Sequence, residues 1–169
     1  MLLIPKKNPY VSVETASFDS LVRRGEEQSH VTLSAHLRIF LIGCLIEHMS
    51  DPDITHCVLA LGFLGSNNQV GAMREISLKR TGDASLILAG FFPERALRLN
   101  VSSTYFRFMG QASYSSLATH LEVGVATERG RFYNEVAEGF VTLERVLFHA
   151  RAKPENEWDA FRRFRSQIG

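Results

Sequence analysis

Two short runs of this chain carry the residue types that do chemistry. The first is His48-x2-Asp51-x-Asp53-x2-His56, which sets two imidazoles and two carboxylates across a turn between apolar segments. Imidazole and carboxylate ligate zinc, iron or manganese, and a turn can make them converge. Cys44, one helical turn before His48, would add a thiolate. The competing reading is structural: Asp51 and Asp53 cap a helix with Pro52 at its first position, and the histidines sit on the rim. That reading also explains Pro52, so no cofactor is predicted. A divalent metal at His48, Asp51, Asp53 and His56 stands as the alternative.

The second run is Gly82-Asp83 ahead of the apolar stretch ASLILAGFF. A carboxylate in a pocket walled by Phe91 and Phe92 would have a raised pKa and could serve as a general base. Gly-Asp before an apolar helix also reads as a bend followed by a cap, which needs no further partners and is preferred. If Asp83 is buried instead, Arg80, Arg95 and Arg107 are its candidate ion-pair partners.

Other chemistries find little support. Glu27-x2-His30 has the spacing used in di-iron bundles, but no second Glu-x-x-His occurs in the chain. Neither a Walker loop nor a Gly-x-Ser-x-Gly elbow is present. Lys and Arg number 19 against 18 Asp and Glu, so the basic excess expected of a duplex-binding domain is missing. The C-terminal FRRFR interleaves Arg with aromatic rings as single-strand binders do, yet it reads first as the solvated side of a docking helix. Nucleic acid is therefore a disfavoured partner. Cys44 and Cys57 lie in apolar surroundings and read as reduced core residues of a cytoplasmic protein.

The elements that must position these residues are helices. Pro5 and Pro9 hold the start of the chain extended, and residues 1–24 define no firm element. GEEQSH reads as the acidic start of a central helix over Val31 to Met49. Ile54 to Leu64 forms a short helix stopped by Gly65, and Ser66 with Gln69 matches a capping box. Pro93 ends the apolar run after Asp83, and Ser102 caps the next helix. Tyr133, Val136, Phe140, Leu143, Leu147 and Ala150 then follow helical spacing without a miss. Gly139 in this stripe suggests close approach of another helix, with Gly110 the candidate contact. Residues 154–169 form a short docking helix. The expectation is an all-α, single-domain bundle of six or seven helices. The longest uncharged apolar run, Ile39 to Ile46, falls far short of the roughly 20 residues that span a bilayer, so no membrane is expected.

The residues GDASLILAGFFPE and YFRFMGQASYSSLA resemble a family of small, uncharacterised, all-helical bacterial proteins. Its pattern is matched by Gly82, Asp83, Leu86, Gly90, Phe91, Phe92, Pro93, Tyr105, Phe106, Met109, Gly110, Ala112 and Tyr114, with Ser113 departing from it. The resemblance implies a helical domain and a bacterial origin, and it brings no activity with it. The 12 Phe side chains exceed the ordinary share and favour either an aromatic core or an apolar interface. The sequence thus points to a helical interaction or adaptor protein that self-associates or meets another protein. Its expected surface comprises Asp83, Phe91, Phe92, Tyr105, Phe106, Phe108, Met109 and Tyr114. A small-ligand protein or metal-dependent enzyme with a pocket near Asp83, or a site at His48 and His56, is the alternative.

Overall fold

Helices α1 (Val13–Ser29), α2 (Ala35–His48), α3 (Leu59–Ser66), α4 (Gly71–Phe91), α5 (Arg95–Arg98), α6 (Ser103–Leu121), α7 (Glu128–Glu138) and α8 (Phe140–Ala150) follow one another in the computed structural model, with a 3-10 turn over Ile54–His56. It describes residues 13–48, 50–51, 53–56, 59–122 and 127–151. The docking helix expected over 154–169, its FRRFR run, Pro52, Cys57 and residues 1–12 lie outside the described residues. No strand occurs among the described residues, and no helix there is long and apolar enough to cross a membrane. The architecture is all-α, as expected.

The acidic run GEEQSH closes one helix rather than opening the next. α1 ends at Ser29, and His30 turns the chain with a left-handed φ of 55°. The Glu26 carboxylate then reaches ahead: Oε1 accepts from Leu33 N at 2.7 Å and from Arg38 Nη2 at 2.8 Å, and Oε2 accepts from Arg38 Nε at 2.9 Å. These bonds outweigh the desolvation of Glu26 and hold its pKa below the usual value. α2 starts after Ser34, whose hydroxyl oxygen accepts from Leu37 N at 3.2 Å. The helix expected over Ile54 to Leu64 is instead the 3-10 turn followed by α3, with Gly65 inside α3. The capping box is not formed either. Ser66 Oγ donates to Phe63 O at 2.6 Å, Gln69 accepts from Ser77 Oγ, and the next helix begins only at Gly71.

α4 is the axis of the molecule, packed on α3, α6 and α8. It runs unbroken through Gly82 and Asp83, so neither a bend nor a cap exists there. All ten residues from 81 to 90 are buried. Gly82 is required by proximity: a Cβ there would fall 2.6 Å from the Tyr114 ring on α6. Gly110 of α6 meets the Phe140 ring of α8 in the same way. Gly139 does not face Gly110; its nearest foreign neighbour is Leu37 of α2. α7 and α8 form one rod across Gly139, because Gly139 N bonds Glu135 O at 2.8 Å and Leu143 N bonds Gly139 O at 2.9 Å. All six members of the Tyr133 to Ala150 stripe are buried on it. Ser102 does precede α6, although its hydroxyl pairs with Thr104 rather than with a backbone N–H.

Candidate functional site: a buried carboxylate beneath an aromatic cleft

Asp83 sits in the middle of α4 with no solvent exposure, so its charge must be met by protein. Three helices supply the donors. Tyr114 of α6 donates its hydroxyl to Oδ1 at 2.7 Å. Lys79, one turn earlier on α4, donates Nζ to Oδ2 at 2.7 Å. His48, the last residue of α2, places Nε2 2.8 Å from the same oxygen, which makes Nε2 the protonated nitrogen when the carboxylate is ionised. Lys79 Nζ also donates to Glu47 Oε2 at 2.6 Å. On its far side, His48 Nδ1 lies 3.9 Å from Asp51 Oδ2, which Arg80 Nη1 holds at 2.5 Å. Glu47, Lys79, Asp83, His48, Asp51 and Arg80 thus form one chain across α2 and α4.

The surroundings of Asp83 set the charge states of four groups at neutral pH. Burial pushes Asp83 upward, but His48, Lys79 and Tyr114 outweigh it and leave the carboxyl below its ordinary value. Burial opposes the charge of Lys79, yet Asp83 and Glu47 more than offset it, and its pKa rises. Tyr114 is pushed well up by burial and by the Asp83 charge, and Cys44 by the same two causes. Asp83 and Lys79 are therefore held ionised, Tyr114 and Cys44 neutral. Not one of these four is poised to exchange a proton near pH 7, which is what general acid–base work requires.

Above this chain lies a cleft of about 320 Å³. His36, Ile39, Phe40, Gly43, Cys44 and Glu47 of α2 line one side, with Lys79 of α4 and Phe132 of α7 opposite. Its rings are locked edge to face: the Phe40 centroid is 5.7 Å from Tyr114 and 5.8 Å from Phe132. Tyr114 in turn stacks on Tyr133 at 6.2 Å. A second concavity, about 460 Å³, is lined among the described residues by Ser102, Thr104, Tyr105, Arg107, Phe108 and Gln111, at the start of α6.

The candidate residues are redistributed by the fold. Asp83 and Tyr114 meet at the centre of the cluster. Phe106 and Met109 are core, Phe91, Phe92 and Tyr105 are half-buried, and Phe108 faces outward at 69% exposure. Phe40 and Phe132, not Phe91 and Phe92, wall the cleft beside Asp83's partners. Of the Arg residues named for Asp83, Arg80 pairs with Asp51 and Arg107 with Glu144; none of the three bonds Asp83. Of the four candidate metal ligands at the turn, His48 alone joins a converging set among the described residues, and the added thiolate of Cys44 joins it too. Among the described residues that set is Cys44, His48 and Asp83, whose ligating atoms lie within 4.8 Å of one another. Asp51 approaches His48 from outside it, and Asp53 and His56 are exposed. Glu27 and His30 are exposed at the end of α1. Sequence reasoning missed Lys79, Glu47, Phe40 and Phe132. The four-residue spacing of Lys79 and Asp83 was the one local signal available.

No protein-family model, curated protein or solved structure matches the chain.

Proposed function

We propose that this chain is a non-enzymatic binding protein that takes a small, apolar-bodied molecule into the cleft between α2, α4 and α7. The observation that carries this reading is Gly43. It lies inside α2, where glycine costs about 1 kcal/mol relative to alanine. A Cβ there would meet nothing within 4 Å, so packing gives no reason for glycine. What Gly43 does is line the cleft and keep it open. Gly65 of α3 is equally uncontacted, so it is the place of Gly43 at the cleft wall that supports a site kept for binding.

The lining chemistry narrows the ligand. Phe40 and Phe132 offer ring surface, and Lys79 has a third proton beyond those given to Asp83 and Glu47. The formal charges of Glu47, Lys79 and Asp83 sum to −1, so a neutral or cationic head fits and a carboxylate does not. A thermal-shift panel of monocyclic aromatic alcohols, amides and amines, with benzoate as the control, tests this in buffer containing a chelator. One of the first three classes is expected to raise the melting temperature of the native chain but not that of Gly43→Leu. Gly43→Leu should itself melt slightly higher, since the helix gains up to about 1 kcal/mol. No shift with any class, or equal shifts in both proteins, would overturn the reading.

Self-association is a second reading, favoured by the exposure of Leu61, Leu64, Val70, Met73 and Ile76 on α3 and at the start of α4. Sedimentation that gives a monomer at millimolar concentration would dismiss it.

A further inference from the structure

We propose that Cys44, His48 and Asp83 form a thiophilic divalent-metal site, zinc(II) by class, in which the ion displaces the Lys79 ammonium. Three observations converge on it. The ligating atoms of the three side chains already lie within 4.8 Å of one another, and all three residues are buried. Tetrahedral zinc with bonds of about 2.0–2.3 Å separates its ligand atoms by about 3.3–3.7 Å, so binding asks the widest pair to close in and His48 and Asp83 to part slightly from their 2.8 Å. One thiolate, one imidazole and one carboxylate suit zinc, and harder ions such as magnesium or calcium have no use for the sulfur.

The surroundings are those of a ligand set held in place. Tyr114 fixes the Asp83 oxygen that His48 and Lys79 do not use. Asp51 Oδ2 stands 3.9 Å from His48 Nδ1, too far for a hydrogen bond but on the side where a carboxylate can accept the Nδ1 proton of an imidazole that binds metal through Nε2. Cys44 and Lys79 both line the cleft, which gives an ion its path from solvent.

One of the three ligands, Asp83, holds a cation already. Lys79 Nζ lies 2.7 Å from Asp83 Oδ2, and its side chain is 27% exposed, with Glu47 Oε2 on its outer side at 2.6 Å. Metal binding moves the ammonium outward onto Glu47, releases the Cys44 thiol proton to solvent, and leaves the single proton of the neutral His48 imidazole on Nδ1 in place of Nε2. Asp83 keeps a cationic partner throughout. The lysine is therefore a competitor of the ion, and this separates the proposal from a lysine that merely neutralises a buried charge.

Cobalt(II) is the probe, titrated into the full chain in a Cys57→Ser background without added cleft ligand. The expected result is one equivalent bound, with an intense near-ultraviolet thiolate-to-cobalt charge-transfer band, reversed by zinc. Cys44→Ala should lose the band, and His48→Gln should weaken binding at least tenfold. Lys79→Met should bind cobalt at least tenfold more tightly, because the competing ammonium is gone. X-ray absorption of the zinc-loaded chain should show one sulfur among nitrogen and oxygen neighbours, a readout that survives if a variant fails to fold. The proposal is overturned by a folded chain that shows no charge-transfer band, by a band that persists in Cys44→Ala, or by unchanged affinity in folded Lys79→Met. The metal titration contains no organic ligand and the ligand panel contains a chelator, so each reading fails independently of the other.

Discussion

Asp83 has three donors and no solvent exposure, so its value to the fold lies in ionisation. Removing the charge with Asp83→Asn leaves Lys79 and His48 facing an amide, and such broken buried pairs cost about 3–5 kcal/mol; the lower end is expected here because Lys79 can turn to Glu47. The pH dependence has a definite sign. The folded carboxyl lies below the ordinary 3.8, so its contribution is complete above that value and is lost as pH falls through the folded one. Urea unfolding of native chain and Asp83→Asn should differ most at pH 7, and the gap should close as pH drops below 3.8. A gap independent of pH would contradict the account. Tyr114→Phe removes one bond to a charged acceptor and should cost about 1.5–3 kcal/mol in the same assay. Lys79, raised above its ordinary 10.5, holds its contribution below that value and loses it only in strong alkali. Asp83 was hard to read from sequence for a physical reason. A single carboxylate after glycine looks like a cap locally, while two of its donors come from 35 and 31 positions away.

Helices differ in how openly the sequence displays them. The α7–α8 rod was legible because one side is buried and the other is wet, so apolar spacing maps directly onto packing. α4 was not, because its second half is covered on all sides and periodicity disappears. Small residues became the signal there, and they mark where Tyr114 of α6 and Leu147 of α8 press in, as Phe140 of α8 does on Gly110 of α6. Gly110 tests this. Alanine raises helix propensity, yet its methyl would collide with Phe140, so Gly110→Ala should lower stability by about 1–3 kcal/mol in thermal denaturation. A more stable Gly110→Ala would show that the α6–α8 contact is looser than described. The exposed, uncontacted Gly43 should respond in the opposite direction, although both glycines lie within helices. The cleft was invisible beforehand because its walls come from three helices whose mutual placement no local pattern encodes.

At the level of the whole molecule, most aromatic side chains among the described residues are buried or packed against the core, with Phe108 and Phe148 exposed, and the sequence could not decide between core and surface because a phenyl ring suits both. Cys44 lies inside that packing, and its thiol is pushed up by burial and by Asp83. Alkylation of Cys44 by iodoacetamide at neutral pH should therefore be slow in the native chain, because the thiol is nearly covered and held neutral at the wall of the cleft. Peptide mapping should show its labelling speeding up in step with urea-induced unfolding; fast labelling of the native chain would contradict the burial. The convergence of α2, α4 and α6 on one carboxylate has a consequence for how the bundle assembles. While any of its donors is missing, Asp83 gains by remaining hydrated, so a half-built bundle that shuts it away is penalised. Packing of the three helices is thereby made to happen together, and partly docked forms, with their exposed apolar faces, are kept rare.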